Sequence, residues 1–407
     1  MVVSEYRDKV SLYVEVVEAS LRPGSIEVNA DRREYRGERV YRGGWLIYSS
    51  PPPLSLSTRS LPSPPRGYSK GLAEARLFHG RSFIGEYRRV SGEEVAEIAS
   101  GLASMVTKCD PEIVVTFVHE VRSIHHEEGS AIEDKNYTDI IMAVNCHGYA
   151  LSERIGLLGT PTKSHINLLS RVIGELEEGS LIYARYAKAL SPMERGRWQV
   201  ILRRSAAAAL LHEIGHCLEA TRCRLTPGTR IHNTLKIYDD PFYYQSPAQR
   251  AFDDEAVASF RRTLVEDGVV VDLLHTRETA AIAGSRPGNA QGLFHRPIPG
   301  HSTLVMGAGD WGDREIIEET KRGILVNQVL EATVDPTGLI TIYPEDAWLV
   351  ERGEVRGALR VTRIRLFVKT LATIDAISKT HWLRVSSEKG NLVAEASPSI
   401  RLQAYID

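Results

Sequence analysis

The stretch that decides the fold is Arg203-Arg204-Ser205-Ala206-Ala207-Ala208-Ala209-Leu210-Leu211-His212-Glu213-Ile214-Gly215-His216. Its small, strongly helix-forming residues predict a buried helix, and Ser205 is the predicted N-cap. The two histidines are separated by just over one helical turn, so both imidazoles leave one face and can bind one metal ion. The H-E-x-x-H pattern is typical of zinc hydrolases, with His212 and His216 as metal ligands and Glu213 as the general base.

The alternative is a surface helix that carries two histidines and a solvated glutamate. Composition does not decide between these interpretations: the 407-residue chain is 25% charged and 43% hydrophobic, with a formal net charge of −2. Such a charge gives no overall attraction to nucleic acid or to an anionic membrane. The alanine run before the motif favours the buried helix.

The chain has no apolar run near the roughly 18 residues that would suggest a membrane span, and its first residues lack a signal-peptide pattern. We therefore expect a cytoplasmic protein with no membrane contact. The four cysteines contain no C-x-x-C pattern, and reduced thiols are the expectation in that compartment.

Hydrophobic periodicity predicts alternating strands and helices before the motif. Residues 11–48 alternate as a strand meander, and residues 49–66 form a Pro/Ser-rich loop. A helix is predicted from about Ser91, where Ser91 and Glu94 fit a capping box. The remaining predictions are strands at Ile113–Val121 and Thr138–Val144 and a helix at Ile166–Glu178.

After a break at Ser191–Gly196, the pattern becomes mostly strands. A short strand, Trp198–Leu202, leads into the motif helix; hairpins are predicted at residues 264–270 and 349–355, and a helix at Asp313–Arg322. The predicted fold class is therefore α+β. It has an N-terminal α+β domain, residues 1–195, and a C-terminal domain, residues 196–407, of mainly antiparallel β-sheet packed on the motif helix.

A set of short motifs along residues 198–398 resembles the catalytic domain of the TldD/PmbA family, the metallopeptidases also called modulators of DNA gyrase. Their order and spacing carry the resemblance, and the N-terminal half is similar in its order of elements. The motifs are His212-Glu213-Ile214-Gly215-His216-Cys217-Leu218-Glu219, Phe252-Asp253-Asp254-Glu255, Val265-Glu266-Asp267-Gly268, Gly288-Asn289-Ala290, Arg296-Pro297-Ile298-Pro299, Lys321-Arg322-Gly323 and Glu345 to Gly353. Because the His-Glu motif is present, the chain resembles the active TldD-like subunit.

The chain departs from the family in two places. The family's helix motif has one more residue before its last histidine, and its third zinc ligand is a cysteine in a Cys-Gly-Lys-Asp-Gly-like turn near the C-terminus. The corresponding segment here, residues 385–391, contains no cysteine, and Ser386 takes that place most nearly. A neutral hydroxyl is a poor zinc ligand.

The third ligand is therefore open among three candidates, Ser386, Glu219 and His381. Glu219 faces the same side of the helix as the histidines, but a role behind them or toward the substrate is favoured. His381 could reach the site if its strand passes the motif helix. Four other histidines remain candidates, but an ordinary loop or turn position is the favoured interpretation for each: His232, His275, His295 and His301. Asp253-Asp254-Glu255 is interpreted as a turn or cap rather than a metal site.

The sequence as a whole predicts a zinc-dependent peptidase that hydrolyses peptides or unfolded polypeptide segments. The resemblance implies a two-subunit particle with a TldE/PmbA-like paralogous subunit, or a dimer of this chain with itself. A first alternative is a metal-free, non-catalytic or regulatory subunit of the same complex. A second is a nucleic-acid-associated modulator, against which the near-neutral charge argues.

Overall fold

The computed structural model describes residues 2–50, 71–186, 195–222 and 225–406. The predicted Pro/Ser-rich loop lies outside these residues except for its first two positions, which end a strand. Most of the predicted break at Ser191–Gly196 is outside them as well.

The first half of the chain forms mainly antiparallel strands, several of them long, with two helices on one face. Its strands are β1 (Val2–Val3), β2 (Glu5–Arg22), β3 (Ser25–Arg42), β4 (Trp45–Ser50), β5 (Leu72–Ala73), β6 (Gly80–Ile84), β7 (Asp110–His126), β8 (Gly129–Cys146) and β9 (Tyr149–Leu158). Its helices are α1 (Gly92–Ala103) and α2 (Lys163–Tyr186).

The main sheet of this half has the order β4-β3-β2-β7-β8, and β8 pairs with both β6 and β9. Strand alternation turns one set of apolar side chains toward α1 and α2, as the period of two requires. That core includes Ile113, Ile140 and Met142 from the sheet and Leu102 and Leu169 from the helices, all at most 1% exposed.

The second half contains one large mixed sheet and one separate two-stranded sheet. Its strands are β10 (Gly196–Leu202), β11 (Ile237–Asp239), β12 (Arg262–Glu266), β13 (Val269–Val270), β14 (Ala290–Gln291), β15 (Ile298–Pro299), β16 (Thr303–Met306), β17 (Arg322–Val326), β18 (Val329–Val334), β19 (Leu339–Pro344), β20 (Trp348–Glu351), β21 (Glu354–Ala358), β22 (Ile364–Phe367), β23 (Ala376–Glu388) and β24 (Asn391–Ile406). Its helices are α3 (Arg204–Cys217), α4 (Arg277–Ala283), α5 (Asp313–Glu318) and a 3₁₀ helix (Val368–Thr373).

The motif helix α3 packs on this sheet, and its apolar face joins the largest core of the protein. Leu210, Leu211 and Ile214 are fully buried there. Strand β24 lies near the middle of the sheet and pairs with β10, β16, β22 and β23. No helix in the described part of the chain is long and apolar enough to cross a membrane.

The predicted α+β class is confirmed, as are the strand meander, the Ser91 capping box and both hairpins. Two local predictions are wrong. Ser205 is not the N-cap: α3 begins at Arg204, and the Ser205 hydroxyl donates to the carbonyl of Asn327. The helix at Asp313 ends at Glu318 rather than Arg322, because Arg322 already starts strand β17.

The expectation of reduced thiols is wrong for Cys109 and Cys146, which form a disulfide. The pairing follows from the sheet: β7 and β8 are antiparallel, with Asp110 opposite Asn145, so the residues just outside this pair meet. Their separation of 37 positions in the chain gave no sign of that contact. Cys217 is buried.

Candidate metal centre

Small residues allow the strands to approach α3 closely. Ala206 to Ala209 are at most 1% exposed. At Gly215, a Cβ atom would lie 2.9 Å from Leu304 Cδ2 and 3.3 Å from His301 Nδ1. The absence of a side chain at Gly215 therefore lets β16 and His301 lie directly against the turn that carries the histidine motif.

His212 and His216 lie side by side on one face of α3, with ring centroids 4.7 Å apart. They face the hairpin formed by β23 and β24. Its turn residues Lys389 and Gly390 both have positive φ, 53° and 79°, as a tight two-residue hairpin turn requires. This turn places Glu388, the last residue of β23, against the two imidazoles.

The Glu388 carboxylate is a third potential metal-binding group on this face. Its Oε2 lies 3.8 Å from His212 Nε2, and its Oε1 lies 3.5 Å from His216 Nε2. The potential ligand atoms of all three side chains lie within 4.8 Å of one another. Two imidazole nitrogens and one carboxylate oxygen are a donor set used by hydrolytic zinc sites.

An unpartnered atom shows that these residues fit a metal ion. Glu388 Oε2 is buried and has no hydrogen-bond partner among the described residues. A buried acceptor without a partner is costly, and a cation held by His212, His216 and Glu388 would remove that cost.

The other ring nitrogen of each histidine is held by a carboxylate. His212 Nδ1 lies 2.7 Å from Glu395 Oε1, and His216 Nδ1 lies 2.9 Å from Glu219 Oε1. An ionised carboxylate can only accept, so each Nδ1 carries the proton. In the neutral rings, both Nε2 atoms then have a lone pair on the side of Glu388, which is the tautomer that metal binding needs.

Three cations, Lys389, Arg384 and Arg222, balance the three carboxylates around the histidines. Lys389 Nζ lies 2.6 Å from Glu219 Oε1 and 3.3 Å from Glu388 Oε1. Arg384 Nη1 donates to Glu395 Oε2 at 3.1 Å. His301 Nε2 also lies 3.0 Å from Glu395 Oε1, so Glu395 joins two histidines and an arginine.

These contacts set the protonation of the carboxylates. Burial alone would raise the pKa of Glu219, but Lys389 and His216 outweigh it and lower that pKa to about 2. Burial is likewise outweighed at Glu395, where His212 lowers the pKa well below its usual range. Both groups therefore remain acceptors at neutral pH.

Glu213 lies beside the histidines in a different environment. Burial raises the pKa of its carboxyl to about 7, against the opposing effect of His212. The backbone N–H of Val334 in β18 lies near this carboxylate and lowers its pKa against that rise. Glu213 is thus positioned between the motif helix and strand β18.

The structure separates the three candidates for the third ligand. Ser386 lies two residues before Glu388 on β23, so both side chains leave the same face of the strand. Its hydroxyl is buried without a hydrogen-bond partner among the described residues. Glu219 contacts His216 from behind, and His381 Nε2 instead donates to the carbonyl of Met306.

Of the remaining histidines, only His301 reaches this cluster in the described structure. His232, His275 and His295 bond to Ile374, Thr279 and Arg296, respectively. Sequence reasoning treated His301 as an ordinary loop residue because nothing in the local pattern marks it. It reaches the site because β16, which follows it directly, pairs in parallel with β24 and places Leu304 opposite Glu395.

The acidic triplet Asp253-Asp254-Glu255 forms a buried turn, as expected. Asp253 accepts hydrogen bonds from backbone N–H groups, including that of Val257. Asp254 bonds to Arg122 at 2.6 Å, and Asn391 donates to Asp254 at 3.0 Å. The turn therefore connects the first residue of β24 to strand β7 of the N-terminal sheet.

Glu388 and Glu395 are the residues that sequence reasoning missed. The sequence did contain a signal for Glu388. This carboxylate lies two residues after Ser386, and residues two apart on a strand point to the same face. No local signal marked Glu395, whose role depends on pairing between distant strands.

Residues 195–404 match the family model of the PmbA/TldA metallopeptidase C-terminal domain. A metalloprotease of Methanocaldococcus jannaschii is 30% identical over 281 residues, 63% of this chain and 60% of the relative. A zinc metalloprotease TldD homolog of Saccharolobus solfataricus is 23% identical over 319 residues, 74% of this chain and 71% of that protein. The chain spans about half the length of most of the curated relatives it matches.

Two solved structures share the fold over nearly the whole chain. A candidate modulator of a DNA gyrase from Thermotoga maritima superposes with a TM-score of 0.77 at 16% identity, covering 99% of this chain and 96% of the other. TldE from Thermococcus kodakarensis gives a TM-score of 0.69 at 17% identity, covering 98% and 96%. At such identities the likeness concerns the fold.

Proposed function

Because this chain belongs to the PmbA/TldA metallopeptidase family, we propose that it is a zinc-dependent peptidase acting on peptides or unfolded polypeptide segments. The observation that carries the proposal is the convergence of His212, His216 and Glu388, with Glu213 beside them. The names of its relatives include metalloproteases and one zinc metalloprotease.

His212, His216 and Glu388 would hold the metal ion. When bound, zinc would lower the pKa of a water molecule and polarise the scissile carbonyl. Glu395 and Glu219 would keep the two imidazoles in the required tautomer, and Lys389 would limit the repulsion between the Glu219 and Glu388 carboxylates.

Glu213 is the proposed proton carrier. Its carboxylate would take a proton from the water whose oxygen attacks the carbonyl carbon, and would deliver a proton to the leaving nitrogen as the C–N bond breaks. Its position beside His212 leaves it outside the metal-binding trio. The backbone N–H of Val334 faces the carboxylate on one side.

Strand β18 supplies a surface for the substrate backbone. Among the described residues it pairs only with β19, so its other edge is free of a strand. The Val334 N–H reaches Glu213 from β18, and the N–H of Ala332, two residues earlier, points to the same side. An extended peptide added along this edge would pass Glu213 with little dependence on its side chains.

The alternative of a metal-free regulatory subunit rested on the missing cysteine. Glu388 offers a different third ligand, and this favours a catalytic subunit. The alternative of a nucleic-acid-associated modulator draws on the description of the Thermotoga maritima structure, but the net charge of −2 offers no basic surface overall.

We further propose that the chain works as a dimer, with a TldE/PmbA-like paralogue or with itself. The fold shared with TldE supports a pairing of related subunits. Enclosing the site between subunits would protect folded proteins from a peptidase that recognises mainly backbone. We also propose a cytoplasmic location.

The metal assignment is tested by zinc content and peptide cleavage in four variants. His212→Ala, His216→Ala and Glu388→Gln should each lower bound zinc, because each removes a ligand. Glu213→Gln should retain zinc and lose cleavage, because it leaves the ligands intact. His125→Ala changes an exposed histidine of the N-terminal sheet and should affect neither.

Equal zinc content in the wild type and in His212→Ala would contradict the metal site. Retention of DNA by the protein at low salt, together with absence of zinc, would favour the nucleic-acid alternative. Light scattering tests the assembly: a fully active monomer would contradict the dimer while leaving the zinc chemistry intact.

A further inference from the structure

A large cavity lies at the C-terminal end of α3, on another side of the helix from the histidine pair. Its volume is about 920 Å³. Apolar side chains form much of its wall: Cys217, Leu225, Ile231, Phe367 and Val368. The turn between β18 and β19 closes one side through residues 336–338.

Two elements connect the cavity to Glu213: helix α3, which carries this residue, and strand β18, which lies beside it. Cys217 follows Glu213 by four positions on α3, and side chains at this spacing are neighbours on one helix face. Val334, whose N–H lies near the Glu213 carboxylate, ends β18 one residue before the turn that lines the cavity. A peptide lying along β18 past Glu213 would therefore present a side chain to this opening.

The charges of the lining define what can enter. The described lining contains two cationic residues, Arg230 and Lys369, and no acidic one. Arg230 Nη1 donates to the carbonyls of His232 and Asp267, which fixes it at the rim. Apolar walls favour an apolar side chain, while the two cations disfavour lysine or arginine.

We propose that this cavity is the subsite for a large apolar residue of the substrate, next to the scissile bond. The inference rests on the proposed peptidase function and adds a substrate class to it. Backbone pairing along β18 would position any extended peptide, and the cavity would select among them by burying one leucine- or phenylalanine-sized side chain.

The test uses the zinc-loaded full chain, with its partner subunit if one is required, and a set of peptides. Each peptide carries Leu, Phe, Ala or Lys at one position of an otherwise Gly/Ser sequence, and mass spectrometry locates the cut. We expect kcat/KM for Leu or Phe next to the cut to exceed that for Ala by roughly tenfold or more, with Lys lowest.

Leu225→Trp should narrow the cavity and reduce the Phe-to-Ala ratio of kcat/KM toward one. Ile26→Trp, at an exposed site on the β2–β3 hairpin of the N-terminal sheet, is the matched control and should keep the ratio of the wild type. Fluorescence anisotropy can also measure how the Phe and Ala peptides bind to the Glu213→Gln variant. This second measurement needs no cleavage.

The two proposals fail in different ways. Cleavage with equal kcat/KM for all four residues would overturn the subsite and leave the peptidase standing. A zinc-loaded protein that cleaves no peptide would overturn the peptidase proposal, and the subsite with it. An unchanged Phe-to-Ala ratio in Leu225→Trp would overturn the assignment to this cavity.

Discussion

Replacing Glu395 by glutamine tests whether the metal site depends on a residue that would not touch the metal. Glu395 is fully buried and receives three donors: His212 Nδ1 at 2.7 Å, His301 Nε2 at 3.0 Å and Arg384 Nη1 at 3.1 Å. Glutamine has the same shape but only one acceptor oxygen. If that oxygen still accepts from the two histidines, the NH₂ group of the glutamine faces the Arg384 donor.

The magnitude follows from these contacts. One charge-assisted hydrogen bond is lost, and a neutral acceptor holds His212 less firmly, so zinc affinity should fall by roughly 10- to 100-fold. This corresponds to about 1.4–2.7 kcal/mol of binding free energy. The free energy of unfolding should fall by a further, separate amount of about 1.5–3 kcal/mol, because Arg384 loses its partner.

The assay is competition for zinc against a chelator of known affinity, together with ¹⁵N NMR of the imidazoles in the metal-free protein. The wild type should show His212 protonated at Nδ1, and Glu395→Gln should show a mixture of tautomers. Asp134→Asn is the matched control, since Asp134 also bonds a histidine, His119, but in the N-terminal sheet. Zinc affinity unchanged in Glu395→Gln would refute the reasoning.

Three further predictions concern stability. Removing zinc with a chelator should lower the midpoint of thermal unfolding, and added zinc should restore it, because an ion that binds only the folded state stabilises it. Replacing Cys109 and Cys146 by serine should lower the free energy of unfolding by about 4 kcal/mol, as the loop of 37 positions implies. Glu153→Gln should make stability less dependent on pH between about 5 and 8, measured by urea unfolding across that range.

The sign of the Glu153 effect follows from its burial, which raises the pKa of the carboxyl to about 8 from the ordinary 4.5. Between these values the folded state holds a proton that the unfolded state has released, so wild-type stability falls as pH rises. The fall amounts to at most about 5 kcal/mol. Glu97→Gln, at an exposed position of α1, is the control; identical pH profiles for wild type and Glu153→Gln would contradict the prediction.

Local patterns predicted those parts of the fold that depend on neighbouring residues. The alternation in residues 11–48 predicted β2 to β4, and the Ser91 capping box predicted the start of α1. The spacing of His212 and His216 predicted two imidazoles on one face, as observed.

The remainder of the site depends on contacts that no local pattern contains. The family resemblance indicated Ser386 as the counterpart of the family's cysteine ligand. The carboxylate of Glu388, on the same strand face, was not considered. His301 and Glu395 meet only because β16 pairs with β24. Cys109 meets Cys146 for a similar reason, the register of β7 and β8.

The contacts of the two residues that flank the Lys389-Gly390 turn limit how far the protein can be shortened. Glu388 enters the turn from the metal face, and Asn391 leaves it bonded to Asp254, which is bonded in turn to Arg122 of the N-terminal sheet. Cutting the chain to its family-matched segment would remove Arg122 and leave Asp254 as a buried charge without its main partner. The hairpin tip would lose its link to the N-terminal sheet, so the position of Glu388, the proposed third ligand, depends on the half of the chain that contains none of the proposed site.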